Sequence, residues 1–81
     1  MTDSIPNRAA SVTPDDATDL ANKGTLFIGG GGNLQVTLEG MEDGTSVTYL
    51  NLPDGTDFPR AVKRVWDAST TATNILVEWR N

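Results

Sequence analysis

The stretch TLFIGGGGNLQVTLEGMEDGTSVTYL, Thr25–Leu50, decides the fold. Its first run, Thr25–Gly29, is apolar and opens into four consecutive glycines, Gly29–Gly32. From Asn33 the chain alternates: Leu34, Val36 and Leu38 point one way, Gln35, Thr37 and Glu39 the other. A period of two is the mark of a strand with one face buried and one in water. Glu42-Asp43-Gly44 predicts a hairpin turn, because glycine takes the positive φ that tight turns demand. Ser46–Leu50 then supplies β-branched and aromatic residues suited to a pleated surface. The stretch predicts three short strands joined by two turns, a meander against which the rest of the chain is laid. The glycine run reads as a flexible hairpin connection. Neither the Gly-Lys-Ser/Thr of a Walker loop nor the helix of a dinucleotide loop follows it. Four glycines exceed what a tight turn requires, which implies a mobile tip or a close approach to a neighbour.

Downstream, Pro53-Asp54-Gly55 is a turn with a mechanism, since proline presets φ and glycine takes the left-handed position. Arg60–Trp66 follows as the most basic segment of the chain. Pro59 and the β-branched valines favour a strand over a helix there. Strict alternation places Val62, Arg64 and Trp66 on one face and Ala61, Lys63 and Val65 on the other. Asp67–Thr73 is a polar loop. Asn74–Trp79 is the last strand, with Ile75, Val77 and Trp79 on one side and Leu76 and Glu78 on the other. Apolar residues on both sides imply a strand covered twice.

Upstream, Arg8–Thr13 reads as a first strand with Ala10 and Val12 inward, ended by Pro14. Asp15–Leu20 reads as a turn or single helical turn. Its three aspartates lack the further oxygen ligands, the glycine and the late Glu of a calcium loop. Residues 1–10 form a polar, flexible arm and residues 11–81 one domain. The expected fold class is all-β: a small antiparallel β-barrel or sandwich of about six strands with a flexible N-terminal arm.

Composition narrows the function. A chain of 81 residues buries only roughly 60–65% of its unfolded surface, so disulfides, metals or neighbouring chains usually support it. Cysteine and histidine are absent, which leaves association as the expected support and removes the commonest general base. A net charge of −5 argues against nucleic acid, since phosphate neutralisation needs Lys and Arg in excess. No signal peptide or membrane-length apolar run is present, so synthesis in the cytoplasm and no membrane partner are expected. No Ser sits in a Gly-x-Ser-x-Gly elbow. The expectation is a non-enzymatic protein with no catalytic, cofactor-binding or metal-ligating residue. Arg60, Lys63, Arg64, Trp66 and Trp79 are the candidate contact residues, because Arg and Trp are enriched at subunit interfaces. A different reading is a monomeric carbohydrate- or ligand-binding β-domain using Trp66, Tyr49 and Asp67.

Two segments resemble a known family. Ser11-Val12-Thr13-Pro14-Asp15-Asp16 with Asp19-Leu20 resembles its opening signature. Phe58-Pro59-Arg60-Ala61-Val62-Lys63-Arg64-Val65-Trp66, then Thr70-Thr71-Ala72-Thr73-Asn74-Ile75, is similar to its closing one. Thr45–Tyr49 and Pro53-Asp54-Gly55-Thr56 fall between them in the expected order. This is the small head-spike-base family of tailed phages and phage-derived gene transfer agents. The glycine run is longer than the family's, and Ser69 stands where a glycine commonly sits. The resemblance implies a virion structural protein on the outer capsid surface, a head spike base or a decoration (cement) protein. It further implies a homo-oligomer, trimer or pentamer, that binds the major capsid protein and in some cases a head fibre. The candidate contact residues would then serve an oligomer or capsid interface.

Overall fold

The computed structural model describes residues 5–80 of the chain. The first four residues of the expected arm lie outside the described residues. Six strands form: β1 (Arg8–Ser11), β2 (Gly24–Gly30), β3 (Gly32–Leu38), β4 (Val47–Leu52), β5 (Thr56–Val65) and β6 (Thr73–Trp79). They make one sheet in the order β1-β6-β2-β5-β3-β4, antiparallel at every step. The all-β antiparallel expectation holds. No described residue is helical, so Asp15–Leu20 is a turn without a helix.

The meander does not form as expected. β3 and β4 are a true hairpin, and Gly44 takes φ +84° in its turn. β2 and β3, however, do not pair; both run antiparallel to β5, one on each side of it. The start of β2 and the end of β3 meet the same residue of β5, Val62. Their other ends are joined through Gly31 alone. A sheet whose members are so connected must fold over on itself. The inward side chains of β2, β3, β5 and β6 accordingly meet in one core: Leu26 and Ile28, Leu34 and Val36, Phe58, Val62 and Val65, Ile75 and Val77.

The glycine run is this corner, not a hairpin tip. A Cβ on Gly29 would stand 2.8 Å from the Asn74 Cβ, and one on Gly31 would strike the Leu52 carbonyl and lie 2.8 Å from the Pro53 backbone. Real Cβ atoms do not approach so closely, so the crossing requires residues without side chains. The turn Pro53–Gly55 passes over this corner, held by Gly31 N–H to Asp54 Oδ1 and Gly55 N–H to the Gly29 carbonyl.

β5 is long, and its alternation breaks twice. Between the pairs Leu26↔Phe58 and Gly24↔Val62 it advances four residues to two on β2. Pro59 sits in that bulge, where its missing N–H costs no ladder bond. Between Leu38↔Val62 and Thr37↔Arg64 a second bulge inserts Lys63. Val62 and Val65 therefore both reach the core, against the strict alternation that separated them. Bulges re-aim side chains and bend the strand, here wrapping the sheet around its interior. In β1 the expected inner residue Ala10 is exposed, because the strand is an edge beyond the core's rim; Val12 is half-buried against the core.

Candidate functional site

The five candidate contact residues fall in three places. Lys63, Arg64 and Trp66 form one cluster, around which the two signature segments meet. The Lys63 ammonium donates to the Met41 carbonyl at 3.0 Å and to Asp43 Oδ1 at 2.6 Å, tying the β3–β4 turn to β5. That hydrogen bond, and next the lysine's charge, hold the Asp43 carboxyl below its ordinary value of 3.8. Arg64 donates from Nε to Asp19 Oδ1 at 2.8 Å and from Nη1 to the Asp16 carbonyl at 3.1 Å. Its guanidinium carbon lies 5.2 Å from the centre of the Trp66 ring, a cation–π distance.

Trp66 is turned into the protein as much as outward. Its indole N–H donates to Thr37 Oγ1 at 2.8 Å, and that hydroxyl donates onward to the Thr45 carbonyl. Thr37 is the buried polar side chain of the described core, and both its hydrogen-bonding roles are filled. Thr37 alternates onto the polar side of β3; Trp66 covers it.

The aspartates of the opening segment act one by one. Asp15 Oδ1 accepts from the Ala17 amide, and Asp16 Oδ1 from the amides of Asp67 and Ala68 at 2.7 and 3.1 Å. The amides of Asp15 and Leu20 donate to the Val65 and Lys63 carbonyls, so this segment covers the side of β5 that β2 leaves open. The threonines of the closing segment work the same way: Thr70 and Thr71 hydroxyls accept from the Gln35 and Asn33 amides. The family-like residues thus hold the fold together.

Arg60 and Trp79 stand apart from this cluster. The Arg60 guanidinium lies 5.3 Å from both the Tyr49 and Phe58 ring centres, and those rings meet edge to face at 4.7 Å. Arg60 is exposed on this aromatic shelf. Trp79 is half-buried at the end of β6 and lines a hollow of about 420 Å³ with Lys23, Thr25, Glu78 and Arg80.

Trp66 and Tyr49 do not form one sugar-binding surface. Trp66 bonds in register to Gln35 and shares its face, whereas Tyr49 pairs with Leu34 on the buried face. Side chains of successive strand residues point to opposite sides, so the two aromatics are divided by the sheet.

Sequence reasoning passed over two groups. Phe27 and Leu76 are cross-strand partners on the outer face and line a hollow of about 460 Å³ with Ser11, Val12 and Asn74. The signal for Phe27 was the unbroken Leu26-Phe27-Ile28, apolar on both faces. The second group is β4, whose Leu50 is 64% exposed; its signal was a strand sequence, VTYLNL, without a single charge. The first candidate arrangement holds cations in internal pairs, and the rest offers shelves and edges.

Such features define a class: a small all-β module built on a single six-stranded antiparallel sheet. No family model matches the chain, and no curated protein matches it. A solved structure does. It is a chain of the structure described as the capsid of a native GTA (gene transfer agent) particle computed with C5 symmetry, 34% identical, with a TM-score of 0.77. The match covers 90% of this chain and 82% of that one. The chain belongs to the family of that protein, a family of phage- and gene-transfer-agent capsid-related proteins.

Proposed function

We propose that this chain is a non-enzymatic virion structural protein of the outer capsid surface, a head spike base or decoration protein. It binds the major capsid protein as a homo-oligomer, trimer or pentamer, and offers its far side to a head fibre. The observation that carries this reading is the match, at 34% identity over 90% of the chain, to a protein of a GTA capsid. The surface supports it. Arg60 on its aromatic shelf and Trp79 beside Lys23 and Arg80 present aromatic and guanidinium groups together, the residue types enriched where binding energy concentrates. Lys63, Arg64 and Trp66, a separate cluster, contribute the ring and guanidinium faces left toward solvent. Weak contacts repeated by symmetry become tight through effective concentration.

The test is sedimentation of purified protein with particles from the same host. Co-sedimentation, with the bound protein digested by protease while the capsid stays intact, is the expected result. Protein that stays in the supernatant at all ratios contradicts the reading. Bound protein that resists protease until the shell is opened contradicts the outer location.

A further inference from the structure

We infer that copies of this chain join edge to edge, β4 of one pairing with β1 of the next, to continue the sheet through the assembly. The inference rests on the homo-oligomer reading above and names the surface that makes it.

β1 and β4 are the two edges of the sheet. Among the described residues the exposed large apolar side chains are Ile5, Val47 and Leu50. All three lie in or beside those edges. Strand edges of solitary proteins are guarded by charge, especially lysine, by proline, or by bulges. β4, VTYLNL, carries no charge and no proline. Its irregularity lies toward its end, where Leu50 and Asn51 together oppose Asn33 in a bulge and Asn51 takes φ +59°, which leaves Val47–Tyr49 as regular edge with Leu50 at the start of the bulge.

The backbone groups at the two edges match. The Trp66 amide donates to the Gln35 carbonyl, two residues along the register of Thr37↔Arg64. Gln35 and Thr37 therefore turn their backbone groups to β5, and Leu34 and Val36 turn theirs to Tyr49 and Val47 of β4. Alternation then aims the N–H and C=O of Thr48 outward, and the exposed Leu50 follows on the same edge where the bulge opposite Asn33 begins. At the other edge, the Val12 amide donates to the Ile75 carbonyl in register with Ser11↔Leu76. Ala10 and Val12 thus face β6, and Ala9 and Ser11 face outward. Each edge offers two residues at the same spacing.

Two further conditions are met. An even number of alternating strands leaves β1 and β4 antiparallel to each other. A head-to-tail rotation about an axis along the strands therefore brings β4 against β1 as an antiparallel pair. The side chains agree as well. Thr48 and Leu50 lie on the face opposite buried Leu34 and Val36, and Ala9 and Ser11 on the face opposite buried Ile75 and Val77. Pairing Leu50 with Ala9 and Thr48 with Ser11 keeps the core faces on one side and sets the largest exposed apolar group over one of the smallest. Charge agrees too: in a chain of net −5, β4 is neutral and the only charge on β1 is Arg8. A heterologous contact of this kind closes into a ring when its rotation closes.

The test uses the full chain, which has no cysteine of its own. Ala9→Cys and Leu50→Cys are introduced together and singly, then oxidised and run on non-reducing gels. Hydrogen-bonded antiparallel partners lie about 5.5 Å apart at Cα, within disulfide reach. The double variant should give a ladder ending in one discrete largest species, and each single variant should stay monomeric. Separately, Leu50→Lys should raise the concentration at which the assembly dissociates about tenfold or more, with thermal unfolding of the monomer unchanged. A double variant that stays monomeric overturns the proposal, as does a Leu50→Lys variant that assembles like the native protein. Native protein that assembles in those cases, or binds particles, leaves the proposed function standing. Failure of the native protein to bind particles is the failure of that function.

Discussion

Replacing Thr37 by Val removes a hydroxyl and keeps the shape. Thr37 is 1% exposed, accepts the Trp66 indole N–H at 2.8 Å and donates to the Thr45 carbonyl. The substitution orphans one donor and one acceptor. A buried polar group left without a partner costs about 1–3 kcal/mol. Trp66 is half-buried and Thr45 exposed, so water recovers part of this, and a total of about 2 kcal/mol is expected. For a domain of this size that is a fall of roughly 10 °C in Tm. The assay is thermal unfolding at one fixed protein concentration, since assembly shifts Tm by mass action. A cycle with Trp66→Phe separates the bond from the packing. If the two residues act through that bond, the double variant is less destabilised than the sum of the singles by about 1 kcal/mol. Thr37→Val within 0.5 kcal/mol of the native protein, or strictly additive effects, would refute the reasoning.

Gly31→Ala should abolish soluble folded protein, because its Cβ meets the Leu52 and Pro53 backbone, whereas Gly40, with nothing within 4 Å, should accept alanine with a change of about 0.5 kcal/mol or less; circular dichroism of the soluble fraction checks both. Arg64→Gln should lower stability by about 1–2 kcal/mol in denaturant titrations, through loss of the Asp19 and Asp16 bonds and the Trp66 stacking. Asp43 has its carboxyl held below the ordinary 3.8 in the folded state, so its contribution is complete above that value and is lost as pH falls through the lower folded one. Asp43→Asn should therefore flatten the acid limb of the stability profile below pH 3.8; an unchanged limb would contradict the Lys63–Asp43 assignment.

What could be read along the chain was whatever is local. The alternation of Asn33–Leu38 and the turns at Gly44 and Gly55 were visible because period and turn chemistry depend on near neighbours. The order β1-β6-β2-β5-β3-β4 was not, since it pairs residues far apart in the chain. The glycine run shows the boundary. Its composition signalled a turn or a close approach, and only the crossing of Leu52–Asp54 over Gly31 shows which. Likewise Val62 and Val65 of β5 reach the core together because the bulge at Lys63 changes the parity that alternation assumes. At the candidate site, Arg64 and Trp66 were legible as a basic-aromatic pair. Their partners were not, because Asp19 and Thr37 come from other elements whose approach depends on the whole topology. The exposed Leu50 was legible only as a strand residue; its position at an edge is a property of the sheet.

The most direct test of the central claim is a cryo-electron microscopy comparison of the host's particles made with and without this chain. The account predicts symmetric density on the outer capsid surface that fits the six-stranded sheet and disappears when the chain is deleted. Identical particle surfaces in the two preparations, with the protein left soluble in the lysate, would contradict it.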